Sequence, residues 1–244
     1  ILTHLGYDVI IPQAQTCCGI PLMFHGARDR AVENMITNIR ALGTHECDGI
    51  LVDCTTCGAA LKDEYPALIK KCMAKPPRTP IKSWATLAAD AKKIAEKTHD
   101  ALSFIAARKQ DLVFEENSPK LGNVSYHAPC HSRNSFHTQA LVQSLLKALP
   151  FMDYTPTLDE AECCGGGGTF FYEHPETAKK IMDKKIRHVK AVKATYWLTD
   201  CPVCRINLAG NIEMADSPDH KIESEEIKVL HPVTLIHRAL RKGN

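Results

Sequence analysis

The chain has 244 residues, 44% of them apolar, 24% charged and 6% aromatic, which is ample for a buried core and too mixed for a disordered or fibrous polymer. Lys and Arg number 30 against 28 Asp and Glu, so a balance of +2 gives no electrostatic reason to expect nucleic acid or an anionic membrane as partner. No stretch reaches the roughly 18–20 apolar residues of a membrane span, and residues 1–10 lack the basic start and cleavage site of a secretory signal, so a soluble protein is expected.

In chain order, residues 1–6 read as the end of a helix and residues 7–11 as an apolar strand. The loop Cys17-Cys18-Gly19 follows, then a helix over 31–40 with apolar residues at helical intervals. Residues 49–52 suit a buried strand and lead into Cys54-x-x-Cys57, after which residues 58–64 open another helix. The segment KPPRTP at 75–80 breaks structure, residues 84–107 read as an Ala-rich amphipathic helix, and 115–119 form a turn.

The pattern then repeats. A strand at 123–127 precedes Cys130 and a helix over 140–149; a strand at 151–154 precedes Cys163-Cys164-Gly165 and a helix over 178–188. A strand at 195–198 ends in Cys201-x-x-Cys204, followed by a helix-opening segment at 205–211. Residues 229–240 close the chain with a strand-like pair and a helix. Cys18 and Cys54 are 36 positions apart and Cys164 and Cys201 are 37 apart, so one unit is written twice.

Alternating strands and helices predict an α/β fold of two pseudo-repeated domains, each a small sheet flanked by helices, with the cysteines on loops after strand ends where such sheets bind ligands. The expected boundaries are a first domain over 1–74, a helical connector over 75–119, and a second domain over 120–244 with a C-terminal helix. Cys130 precedes Cys163 by 33 positions, which would put its counterpart in the first copy upstream of Ile1. The first copy is therefore expected to be truncated at its N-terminus.

Eleven cysteines, an odd number in a long chain, point to a reducing interior compartment and to ligands or redox groups rather than a disulfide framework. Two Cys-x-x-Cys pairs would serve zinc, but neighbouring cysteines such as Cys17-Cys18 and Cys163-Cys164 rarely chelate one tetrahedral ion. An iron–sulfur cluster offers several metal corners and can use thiolates from separate loops. The expected ligands are Cys17, Cys18, Cys54 and Cys57 in the first copy, and Cys130, Cys163, Cys164, Cys201 and Cys204 in the second. Zinc and dithiol exchange are the alternatives. Cys47 and Cys72 lack counterparts and read as buried apolar residues. His127 and His131 either donate hydrogen bonds to a cluster sulfur or are structural, and His25 reads as structural. The run Gly165–Gly168 either brings backbone N–H groups close to a cluster or simply turns the chain. Asp53 and Asp200 read as helix caps.

A Cys, a Cys-Cys-Gly some thirty residues later and a Cys-x-x-Cys a similar distance on, in tandem, resemble the cysteine-rich CCG domain pair. The segments TCCGIPL from Thr16, DEYP from Asp63, YHAPCH from Tyr126, CCGGGGTF from Cys163, TDCPVC from Thr199 and HPVTL from His231 carry the resemblance over almost the whole chain. That family includes the cysteine-rich subunits of heterodisulfide reductase and the iron–sulfur subunits of glycolate oxidase, lactate-utilisation and anaerobic glycerol-3-phosphate dehydrogenase complexes. The resemblance implies a cytoplasmic electron-transfer subunit carrying [4Fe–4S] clusters, of non-cubane type where five cysteines meet. It would take electrons from a flavoprotein dehydrogenase partner, FAD residing there, and pass them towards a quinone or another carrier. A ferredoxin-like segment or subunit and a membrane quinone-reducing component are further implied partners, the latter tethering the chain to the inner face of the membrane. The alternative it implies is a catalytic subunit that reduces a disulfide at a non-cubane cluster.

Overall fold

The computed structural model describes residues 1–115, 120–215 and 227–241. The chain divides into two compact units, Val9–Ala101 and Ile1–Asp8 with Leu102–Asn244.

In the Val9–Ala101 unit the order is α1 (Ile20–Phe24), α2 (Arg28–Gly43), β1 (Ile50–Val52), α3 (Thr55–Ala59), a π-helical turn (Ala60–Glu64), α4 (Tyr65–Ala74), α5 (Trp84–Lys97) and β2 (Thr98–Asp100). Helix α2 forms because Ala31, Val32, Met35, Ile36 and Ile39 fall on one stripe, which is buried. Ser83 caps α5, its hydroxyl accepting the Thr86 N–H at 3.2 Å, and α5 packs on α2 and α4. The helix read over 84–107 is thus interrupted: Thr98–Asp100 turns extended and pairs in parallel with Ile50–Val52. Thr98 and Asp100 are buried there, and pairing with β1 outweighs the helical propensity of the flanking alanines. Residues 7–11 form no strand, and Val9, Ile10 and Ile11 are exposed. A strand needs a partner, and the described ladder of β1 runs to β2.

The other unit holds α6 (Ala101–Ala106), β3 (Asn123–Tyr126), α7 (Gln139–Ala148), β4 (Asp153–Tyr154), α8 (Phe170–Glu173), α9 (Pro175–Ala191), β5 (Tyr196–Leu198), α10 (Pro202–Ala215), β6 (Lys228–Leu230) and α11 (Pro232–Ala239). Among the described residues its sheet has four strands, all parallel, in the order β4-β3-β5-β6. Val124, Tyr126, Trp197 and Leu198 are buried, as expected of a sheet covered on both faces. The first strand of this sheet has the second on one side and the third on the other, so the chain leaves β3 and β5 in different directions. That switch point, at the strands' carboxyl ends, is where open α/β sheets make their crevice. Residues 1–6 form hydrogen-bonded turns, and Ile1 and Leu5 pack on the core around Leu145, Phe151 and Ile236. All but Glu115 of the turn expected at 115–119 lies outside the described residues.

The two Cys-Cys-Gly loops share one backbone requirement. Gly19 and Gly165 have φ of +83° and +77°, a conformation L side chains rarely adopt. Each also touches the following long helix: a Cβ would lie 3.3 Å from the Ala31 carbonyl oxygen at Gly19, and 3.5 Å from Ala178 Cα at Gly165. Gly165→Ala is therefore expected to cost about 1–2 kcal/mol and to lower the melting temperature by roughly 2–8 °C. Gly167→Ala, where a Cβ meets nothing within 4 Å, should leave it nearly unchanged in the same thermal scan.

Candidate metal centres

In the Val9–Ala101 unit the Cys17–Cys18 loop meets Cys54 and Cys57, which follow β1. The thiols link in the order Cys17, Cys18, Cys57, Cys54 through shared hydrogen bonds. The Gly19 N–H points at Cys17 Sγ at 3.5 Å, and Cys54 caps α3, its sulfur accepting the Cys57 N–H at 3.5 Å. The cap read at Asp53 is thus one residue later, on a ligand candidate. Cys18 and Cys54 are buried and Cys17 is exposed.

The sheet of the other unit brings together all five of its candidate cysteines. Cys130 follows β3, Cys163 and Cys164 follow β4, and Cys201 and Cys204 follow β5. The thiols link in the order Cys163, Cys164, Cys204, Cys201, the same order as in the first group, and Cys130 feels the charges of Cys201 and Cys164. The Gly165 N–H reaches Cys163 Sγ at 3.3 Å. A Cβ on Gly166 would lie 3.2 Å from Cys164 Sγ, so a side chain there would crowd that sulfur. Cys164, Cys201 and Cys204 are buried, Cys130 and Cys163 exposed.

His127 belongs to this centre. It is buried, and a ring nitrogen lies with the Cys164 and Cys204 sulfurs in a group whose members are all within 4.8 Å of one another. His131 has its Nδ1 3.9 Å from Cys130 Sγ. Asp200 is buried, and its Oδ1 accepts the Tyr126 hydroxyl proton at 2.7 Å, tying the segment after β5 to the end of β3.

The electrostatics of the two groups match. Cys18 is drawn down to about 7, first by the hydrogen bond from Cys57, against the opposing effect of burial. Cys164 is held well below the usual thiol range by hydrogen bonds from Cys163 and Cys204, with His127 adding to them. Their donors move the other way: Cys57 is pushed up by its bonds to Cys18 and Cys54, and Cys204 by those to Cys164 and Cys201. In each group S–H donors thus favour the thiolate of a neighbouring cysteine, Cys18 in one and Cys164 in the other. Further ionisation piles like charge into a poorly solvated place, and a bound cation relieves it.

The residues present therefore fit a thiophilic metal group. The donors are soft sulfurs with one imidazole nearby, and His127 Nδ1 is a buried polar atom with no hydrogen-bond partner among the described residues. Zinc and iron–sulfur clusters both suit cysteine donors.

The residues that hold the loops escaped the sequence reading. Asn38 of α2 accepts the Thr16 N–H at 2.8 Å and donates to the Cys17 carbonyl at 3.2 Å, while the Tyr65 hydroxyl donates to the Cys18 carbonyl at 3.0 Å. In the second centre Asn207 of α10 donates to the Cys164 carbonyl at 2.8 Å, and Lys185 of α9 donates to the carbonyls of Asp159 and Glu162 at 2.7 and 3.1 Å. A signal did exist: Asn38 and Lys185 are polar residues seven positions after Ala31 and Ala178, on the apolar stripes of their helices. Cys47 and Cys72 join neither group; Cys72 is buried, with Arg28 Nη2 3.3 Å from its sulfur.

Comparison with known proteins agrees with the duplicated geometry. The model of the cysteine-rich domain family CCG matches residues 1–62 and 124–209. The chain is 30% identical over 233 residues to lactate utilization protein A of Geobacillus sp. (strain WCH70), covering 95% of this chain and 87% of that protein. It is 28% identical over 213 residues to the probable glycolate oxidase iron-sulfur subunit of Bacillus subtilis (strain 168), covering 87% of this chain and 45% of that protein. It is 25% identical over 222 residues to a fumarate reductase (CoM/CoB) subunit of Methanothermobacter marburgensis, covering 91% of this chain and 40% of that protein. Among the described residues no helix is long and apolar enough to cross a membrane. With two matched segments, each holding one of the thiol groups, the chain belongs to the CCG family of cysteine-rich domains and carries that domain in two copies.

Proposed function

We propose that this chain is the iron–sulfur electron-transfer subunit of a flavin-dependent oxidoreductase acting on a 2-hydroxy acid, glycolate or lactate, or on glycerol 3-phosphate. The observation that carries the reading is the meeting of five thiols from the segments that follow three strands, Cys204 on the first turn of α10, at the carboxyl end of one parallel sheet, with a like arrangement of four thiols in the other copy. The names of relatives such as the glycolate oxidase iron-sulfur subunit support it. The ligands are Cys17, Cys18, Cys54 and Cys57 in one centre, and Cys130, Cys163, Cys164, Cys201 and Cys204 in the other. Adjacent cysteines in both groups favour a multinuclear cluster over a single zinc ion, because neighbouring side chains diverge and serve different metal corners. When bound, such a cluster takes up and releases single electrons. The chain's own part is to hold the sulfurs together, Cys18, Cys54, Cys164, Cys201 and Cys204 buried and Cys17, Cys130 and Cys163 open to solvent, with the Gly19 and Gly165 N–H groups aimed at Cys17 and Cys163. His127 supplies a polar group beside Cys164 and Cys204. The partner supplying electrons is a flavoprotein dehydrogenase, and the acceptor a quinone-reducing component or another carrier.

The test is anaerobic purification with iron and sulfide analysis, followed by mixing with the cognate flavoprotein and its hydroxy-acid substrate. Iron with equimolar sulfide, and bleaching of the visible absorption only when flavoprotein and substrate are both present, are expected. Zinc in place of iron would overturn the reading.

A second reading, reduction of a substrate disulfide at the Cys130 centre, is favoured by the exposure of Cys130 and Cys163, which leaves one side of that centre open. It predicts that the reduced chain alone converts a small disulfide to two thiols, with two electrons and two protons consumed per disulfide. The electron-transfer reading predicts no such turnover.

A further inference from the structure

The two centres are built on the same backbone but braced by different charges. Lys185 and Asn38 occupy matching positions, each seven residues after the alanine that touches the loop glycine, and each binds the backbone just before the paired cysteines. Asn38 is neutral, and its companion Tyr65 is neutral too. Lys185 is 1% exposed, its Nζ sits on the Asp159 and Glu162 carbonyls, and its charge partner is the Asp159 carboxylate at 3.5 Å. That carboxylate, also 1% exposed, is shared with His188 Nδ1 at 3.1 Å. A lysine side chain is almost never fully buried without such partners, and an asparagine does the same tethering in the first copy with no charge to desolvate.

We propose that Lys185 is a positioning residue that gives the second centre a cationic brace, and that it raises the electron affinity of that centre above what a neutral brace would give. The inference rests on the iron–sulfur reading above. An electron added to the centre is attracted by a buried positive charge, and low-dielectric surroundings screen that attraction weakly. The ammonium lies within electrostatic reach of Cys164. Asp159 balances the charge overall, but the ammonium is the member of the pair bonded to the Glu162 carbonyl, immediately before Cys163. The cation is thereby fixed at the loop that carries the ligands.

The experiment uses the full chain in a Cys54→Ser background, which removes the first centre, and reads iron content and an electron-paramagnetic-resonance redox titration. Lys185→Asn, which copies the brace of the first copy, is expected to retain iron and to lower the equilibrium constant for reduction about tenfold, about 59 mV for one electron. Lys185→Arg should restore it. Because Lys185→Asn strands the Asp159 carboxylate, the double variant Lys185→Asn with Asp159→Asn is measured beside it and carries the test if the single variant does not fold. It is expected to lie between the single variant and the parent. A reduction equilibrium unmoved in the folded variants, with iron intact, overturns the inference and leaves the iron–sulfur reading standing. A wild-type chain that binds no iron overturns that reading and the inference with it, and a Cys54→Ser chain that binds none overturns the inference alone.

Discussion

Replacing Cys204 with serine is expected to remove iron from the second centre, leaving only what the first centre holds, with loss of the matching share of visible absorption. Cys204 is an interior member of its chain of four thiols, hydrogen-bonded to both Cys164 and Cys201, and it stands with His127 and Cys164 in a donor group whose ligand atoms lie within 4.8 Å of one another. A serine hydroxyl is a harder and far less acidic donor than a thiol, so it neither matches a soft metal group nor ionises for it. Metal binding at cysteine-rich sites is also folding energy, of the order of 10 kcal/mol for a structural zinc site, so the loops should loosen together with the loss of metal. Iron and sulfide analysis of Cys204→Ser beside Cys47→Ser, whose sulfur joins neither group, makes the comparison internal. Unchanged iron in the Cys204 variant would remove this residue from the ligand set.

Asp159→Ala should be among the most destabilising substitutions outside the cysteines. It leaves the buried Lys185 ammonium without its counter-ion and His188 without its carboxylate. Stripping one partner from a buried pair costs about 3–5 kcal/mol, a large fraction of a total stability of about 5–15 kcal/mol. The pH dependence carries a second signature. Burial would raise the Asp159 carboxyl, but the Lys185 ammonium and His188 outweigh it and hold the group below its ordinary value. A carboxyl depressed on folding contributes stability that is present above its unfolded value, about 3.9, and is lost as pH falls through the lower folded value. Wild type should therefore lose stability on acidification below about pH 4 more steeply than Asp159→Ala. Chemical denaturation at neutral pH and at about pH 3 measures both effects; parallel losses in the two proteins would show that the pair contributes nothing.

Much of the site was legible because its signal is local. Cysteine spacing, the glycine after each pair and the repeated interval need no partner in space to be read, and they point to the same loops the sheet brings together. The glycines are a clear instance: a positive φ is a property of one residue, and both copies place glycine where it is required. Long amphipathic helices such as Arg28–Gly43 and Pro175–Ala191 were equally readable, because their apolar stripes repeat over several turns.

Short strands were less so. Residues 7–11 carry an apolar run as convincing as that of Ile50–Val52, yet only the latter is described with a partner, and Thr98–Asp100 pairs with it from inside an alanine-rich stretch. Pairing is decided by which segment arrives alongside, and nothing within either segment states that.

What the amino-acid order by itself determined was the duplicated unit, the α/β alternation and the set of thiols to be gathered, since these are matters of residue type and interval along the chain. Tertiary structure alone decided that His127 faces two of the sulfurs, and that Lys185, of a type usually left in solvent, is buried beneath the second loop where Asn38 serves the first. A charged side chain can leave water only where carbonyls and a carboxylate from distant segments surround it, and those neighbours exist only once the chain has folded.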